Sequence, residues 1–278
     1  MNNNIIAKPY HSDIFYPSDK NEIERMLQEI IIDDTIFIDS SSKGILVPHA
    51  GYAFILPLLK KAFESIKESY DNIIIIGSPH QEILLKDKPY NIFCPSYEGC
   101  ETPYGDIKFN TDLINSFAKK EMKKNSYFEE EAEFELLYPL IKRYMPNTPV
   151  VPICTYITNS KESKDFATIL NKIYSLNSNN LLIISANMNS LKKDNFAYED
   201  AVSFKTVLES SNYLLSPESR KLVSSCGSGI FDGIKKTKAF KNTNWELFLF
   251  EKESKISKTI DKINSKSKIV YHGLGVLK

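Results

Sequence analysis

Four isoleucines in a row, Ile73 to Ile76, open the stretch IIIIGSPH (73–80). Successive side chains of a strand point to opposite faces, so an unbroken β-branched run demands burial on both. Such a strand belongs in a sheet covered by helices on each side, which directs the chain toward an α/β architecture. A second apolar run, GILVPHAGY (44–52), also ends on a histidine beside a glycine. The chain has four histidines, His11, His49, His80 and His272. Two of them therefore close neighbouring strand candidates.

The rest of the pattern extends this reading. Asp19 and Glu22 form a capping box ahead of Ile23, Met26, Leu27 and Ile30, predicting a helix over 19–31. Between the two histidine-ended runs, PLLKKAFESIKES presents one apolar face and places Pro57 at a helix entry, giving a strand, helix, strand crossover. PVVPIC (149–154) and LLIIS (181–185) read as two further buried strands, separated by helical KESKDFATILNKIYS. Residues 129–144 begin acidic and end on Lys142 and Arg143, the charge order of a helix dipole, and are expected to be helical. Another helix is expected over 196–215, and KIVYHGLGVL reads as a closing strand. Residues 83–110 suggest short strands and turns, so the central sheet is expected to be mostly parallel or mixed, flanked by helices. No Pro/Gly/Ser-rich linker interrupts the chain, and a single domain over 1–278 is expected.

Composition removes several classes. Thirty-five basic and thirty-five acidic side chains cancel, and no basic stripe interleaved with aromatics occurs, which argues against nucleic-acid binding. No apolar run approaches the roughly 18 residues of a membrane helix, and the N-terminus lacks a basic stretch followed by an apolar one. A soluble, cytoplasmic protein is expected. Cys94, Cys100, Cys154 and Cys226 are too few and too irregularly spaced for a disulfide framework or a zinc knuckle.

Chemistry is expected where parallel strands end, because loops and helix N-termini converge there. His49 and His80 fall at such ends, and adjacent parallel strands would let both imidazoles face one crevice. Each histidine reads equally as a turn cap. Cys226, in SSCGSGIFDGIKK, precedes a helix whose positive end favours thiolate. It reads either as a small buried residue or as a third ligand. Two imidazoles and a thiolate suit Fe(II), Cu(I) or Zn(II) and discourage Mg and Ca.

PHAGY (48–52), GSPH (77–80), TPYGDI (102–107), the late CG (226–227) and the early FYP (15–17) occur in the order found in the Memo family, which the chain resembles over nearly its whole length. The resemblance implies a fold similar to the class III extradiol dioxygenases, which use non-haem iron. It implies that His49, His80 and Cys226 match the family's metal pocket, which binds iron or copper in animal members. It also implies a partnership with a radical-SAM enzyme, since microbial members form the B component of the AmmeMemoRadiSam system, and a small-molecule or peptide ligand. The expected function is a metal-dependent oxidoreductase; the alternative is a non-catalytic adaptor with a vestigial pocket.

The chain departs from the family pattern in three places. Where members carry an aspartate and a histidine after the strand LLIIS, Asn187 and Ser190 stand here, and Ala132 takes the place of a further histidine. These losses remove groups suited to moving protons beside a metal. Tyr52, Asn187 and Ser190 are the expected pocket-lining residues, and Tyr104 reads either as a pocket border or as packing.

Overall fold

In a computed structural model, residues 5–31, 42–86, 91–118, 122–252 and 268–278 are described. Eight strands form the central sheet: β1 (Gly44–Val47), β2 (Asn72–Gly77), β3 (Ile92–Pro95), β4 (Lys123–Asn125), β5 (Val150–Thr155), β6 (Asn180–Ser185), β7 (Trp245–Lys252) and β8 (Tyr271–Leu277). Their order is β7-β8-β1-β6-β2-β5-β3-β4. The middle of the sheet, β1-β6-β2-β5, is parallel, and antiparallel pairings β8 with β1 and β3 with β5 border it. The sheet is therefore mixed. The expected histidine-ended crossover exists, but β1 and β2 are not adjacent: β6 lies between them and pairs with both.

Ile73, Ile74, Ile75 and Ile76 are all fully buried, although consecutive residues face opposite sides. Both faces are thus covered by helices, among them α1 (Lys20–Glu29), α2 (Tyr52–Ser65), α3 (Ala132–Glu135), α4 (Tyr138–Tyr144), α5 (Ser160–Leu176), α6 (Asp194–Leu208) and α7 (Ser228–Lys235), with further short helices at Glu82–Lys86 and Thr111–Phe117. Asp19 caps α1 by accepting from the Asn21 amide at 2.8 Å.

Three helix expectations need correction. Pro57 lies inside α2, because the helix starts at Tyr52, whose amide is held by the Phe15 carbonyl at 2.7 Å. Residues 129–144 do not form one helix but a 3-10 turn (Ser126–Glu130), the single-turn α3, and α4. The physical reason lies in the acidic residues taken for dipole charges: Glu131, Glu133 and Glu135 are all buried. Glu135 accepts from the amides of Tyr10 and His11 and from the Tyr16 hydroxyl. Three inward carboxylates outweigh the helical periodicity. The helix expected over 196–215 ends at Leu208, and residues 87–90 of the expected short-strand region lie outside the described residues.

Candidate metal centre

Register brings the carboxyl ends of three strands together. Val47 of β1 pairs with Ser185 of β6, and Ile184 pairs with Ile76 of β2. His49 and His80 follow just beyond the outer two ends. Their rings meet edge to face, with centroids 5.1 Å apart. Cys226 Sγ lies 3.8 Å from His49 Nε2, and one ligand atom from each of His49, His80 and Cys226 lies within 4.8 Å of the others. In a tetrahedral site with metal–nitrogen and metal–sulfur bonds of roughly 2.0 and 2.3 Å, sulfur and nitrogen stand about 3.6 Å apart. The donor set and its spacing fit a transition ion.

The loop carrying Cys226 is pinned on both sides. Ser78 Oγ donates to the Cys226 carbonyl at 2.6 Å, and Ser225 Oγ donates to the Asn187 carbonyl at 2.6 Å. Gly227 permits the approach, since a β-carbon there would stand 2.7 Å from that of Ala186.

Each imidazole is oriented from behind. Ser185 Oγ gives its single hydrogen to the Glu133 carbonyl at 2.8 Å, so it can only accept from His49 Nδ1 at 3.1 Å. That sets the tautomer of the neutral His49 ring, with Nε2 unprotonated on the side of Cys226. His80 Nδ1 stands 3.3 Å from Glu133 Oε2, which leaves Nε2 as the ring nitrogen available to an ion. The backbone of His80 and Gln81 is clamped by Glu131, whose carboxylate accepts from both amides at 2.9 to 3.0 Å.

These neighbours set the charges. Burial disfavours a thiolate at Cys226, but the charge and hydrogen bonds of His49 and His80 overcome it and hold the thiol well below its ordinary range. Desolvation also opposes the His80 imidazolium, yet hydrogen bonds to Cys226, Glu131 and Glu133 hold it well above the usual histidine value. Burial pushes the Glu133 carboxyl up to about 7, while hydrogen bonding to His80 pulls it down. Both shifts favour a thiolate facing an imidazolium, and a bound ion would take the place of that proton.

The remaining expected residues each have their own partners. Tyr52 is buried, donates its hydroxyl to the Leu136 carbonyl at 2.8 Å and packs on Tyr16. Asn187 is a clamp: its carboxamide accepts from the His49 amide at 3.2 Å, donates to the His49 carbonyl at 2.9 Å, and meets His272 Nδ1 at 3.0 Å. Ser190 is exposed and shares its hydroxyl with Ser224 at 2.9 Å. Tyr104 donates to Glu24 at 2.8 Å, beside α1. Ala132, partly buried, starts α3 between Glu131 and Glu133. His11 is buried near the Glu130 carbonyl at 3.1 Å.

The carboxylates of Glu131 and Glu133 were the residues that sequence reasoning missed. Their sequence signal was the alternation in EEAEFE, whose acidic positions at every second residue suit an irregular segment turned inward better than a solvated helix face.

Curated relatives match much of the chain. A MEMO1 family protein of Nitrosopumilus maritimus is 24% identical over 241 residues, covering 81% of this chain and 84% of its own. Another, from Thermotoga petrophila, is 26% identical over 244 residues, covering 80% and 84%. Among solved structures, an uncharacterized protein from Escherichia coli K12 matches with a TM-score of 0.45 at 9% identity, covering 83% of this chain and 98% of that one. The Memo-like protein family matches residues 8–266, and the chain belongs to that family.

Proposed function

We propose that this protein holds one redox-active transition ion, iron or copper, through His49, His80 and Cys226, and works as a metal-dependent oxidoreductase on a small molecule or peptide. The observation that carries the reading is the meeting of one thiol and two imidazoles, from three separate loops, within 4.8 Å. Two further features support it. Both rings are held from behind at Nδ1, by Ser185 and by Glu133, the kind of contact that orients a metal-bound histidine through its other nitrogen. Cys226 is biased to thiolate, the form that binds metal.

A bound ion of this kind supplies one-electron chemistry and Lewis acidity. The protein's own residues supply the donors, keep both imidazoles in one tautomer and place two carboxylates beside His80. The expected location is cytoplasmic; among the described residues no helix is long and apolar enough to cross a membrane.

A second reading rests on Asn187. The family pattern has an aspartate there, whereas this carboxamide is committed to the His49 backbone and to His272. That favours an adaptor beside a radical-SAM partner, with the metal serving structure.

Anaerobic loading with Fe(II) or Cu(I), followed by elemental analysis, tests the metal reading. One ion per chain is expected in the wild type, with loss in His49→Ala, His80→Ala and Cys226→Ala. Equal uptake by all four proteins defeats it. Metal uptake without oxygen consumption or turnover, together with a stable radical-SAM partner from native lysate, supports the second reading instead.

A further inference from the structure

Glu133 is not one of the three donors, yet it has an unusual environment. Its side chain is 1% exposed, Oε2 lies 3.3 Å from His80 Nδ1, and Oε1 is buried without a hydrogen-bond partner. A buried carboxylate oxygen left unpaired is costly to the fold. Room for it exists only because position 77 is glycine: a β-carbon there would stand 2.6 Å from Glu133 Cγ and 3.3 Å from Oε1. Glu131, its neighbour, differs, because its oxygens are taken by backbone amides. Glu131 is a clamp. Glu133 is a charge kept in reserve beside the rings.

We propose that Glu133 is a specificity-determining residue that biases the centre toward divalent over monovalent ions, an inference that rests on the metal reading above. At a fixed distance a carboxylate stabilises a divalent ion twice as strongly as a monovalent one, and burial preserves the difference that water would screen. The thiolate of Cys226 alone neutralises Cu(I) and leaves Fe(II) with one positive charge. Glu133, bonded to the ring of His80, is placed to offset that remainder. It acts through position and charge, from the Nδ1 side of His80: its oxygen lies 3.3 Å from that nitrogen, in a group with His80 and Glu131 that shares only His80 with the trio.

Competition titrations of the full chain at pH 8, anaerobically, with Fe(II) and separately with Cu(I), test this on wild type and Glu133→Gln. The amide keeps an acceptor for His80 Nδ1 and removes the charge. An affinity loss of about tenfold for Fe(II) is expected, the lower end for removing a group bonded to a ligand rather than to the ion. Half that free energy, about threefold, is expected for Cu(I). The Co(II) ligand-field spectrum should keep its band positions, because the ligands are unchanged. Equal losses for both ions, no loss, or an altered Co(II) spectrum overturns the proposal. Glu133→Ser gives the same charge change with a smaller side chain and replaces the amide variant if that one does not fold. A wild type that binds neither ion defeats the metal reading itself, whereas normal binding with an unchanged Fe(II) to Cu(I) ratio defeats only the role of Glu133.

Discussion

Ser185 Oγ stands 3.1 Å from His49 Nδ1 and donates to the Glu133 carbonyl at 2.8 Å, so one hydroxyl couples β6, α3 and a candidate ligand. Ser185→Ala removes the acceptor that fixes the His49 tautomer and strands the Glu133 carbonyl. Metal affinity should fall about tenfold, and stability by about 1 to 2 kcal/mol. Nitrogen NMR of the metal-free protein provides the check: a single His49 tautomer in wild type and a mixture in the variant. A single Nδ1–H tautomer in both proteins would leave Ser185 without this role.

Cys226 should be the reactive thiol of the chain. The two imidazoles hold it well below the usual thiol range, whereas burial pushes Cys94 up to about 12 and raises Cys100 and Cys154 as well. A lowered value means that thiolate persists as pH falls, so iodoacetamide should still label Cys226 at pH 6 while sparing the other three. Loading with Fe(II) or Cu(I) should protect it. Peptide mass spectrometry reads both outcomes, and uniform labelling of the four cysteines counts against the thiolate.

Glu24 joins α1 to α4 through Arg143, with contacts of 2.7 and 2.9 Å, and also accepts from Tyr104. The hydrogen bond from Arg143 holds its carboxyl below the ordinary value of 4.5. A depressed carboxylate stabilises the fold fully above its unfolded pKa, and that contribution is lost as pH falls through the lower folded value. Glu24→Gln should therefore cost about 1 kcal/mol at pH 7 in low salt. The difference from wild type should close in acid, as urea unfolding at several pH values would report. A gap that persists unchanged into acid would assign the loss to packing.

The parallel centre was legible because Ile73–Ile76 and LLIIS (181–185) leave no polar face for water. The meeting of His49 and His80 was legible from their place after strands, but their separation by β6 was not: strand order depends on long-range pairing that local periodicity does not encode. For that reason Ser185, at the end of the intervening strand, stayed hidden. Cys226 could be proposed from its place before α7, although nothing local says which strand ends it approaches. The buried carboxylates were misread because acidic residues ahead of a basic turn satisfy the helix-dipole pattern. Tertiary partners make the burial of two of them tolerable: the amides of His80 and Gln81 for Glu131, and those of Tyr10 and His11 with the Tyr16 hydroxyl for Glu135.

Gly77 and Glu133 should prove energetically coupled. A β-carbon at position 77 would meet Glu133 Cγ at 2.6 Å and Phe134 Cζ at 3.1 Å, both on α3, whose neighbour Glu131 holds the His80 loop. Gly77→Ala forces that side chain aside, with an expected loss of about 1 to 3 kcal/mol from overpacking. Glu133→Ala in the same chain removes Cγ and vacates the contested space, so the double variant should recover a large part of that loss, about 1 kcal/mol or more of interaction energy. Chemical denaturation of the four proteins of the cycle measures it. Additive losses would mean that the glycine answers to Phe134 or to the strand backbone, and that the space beside His80 is not reserved for the carboxylate.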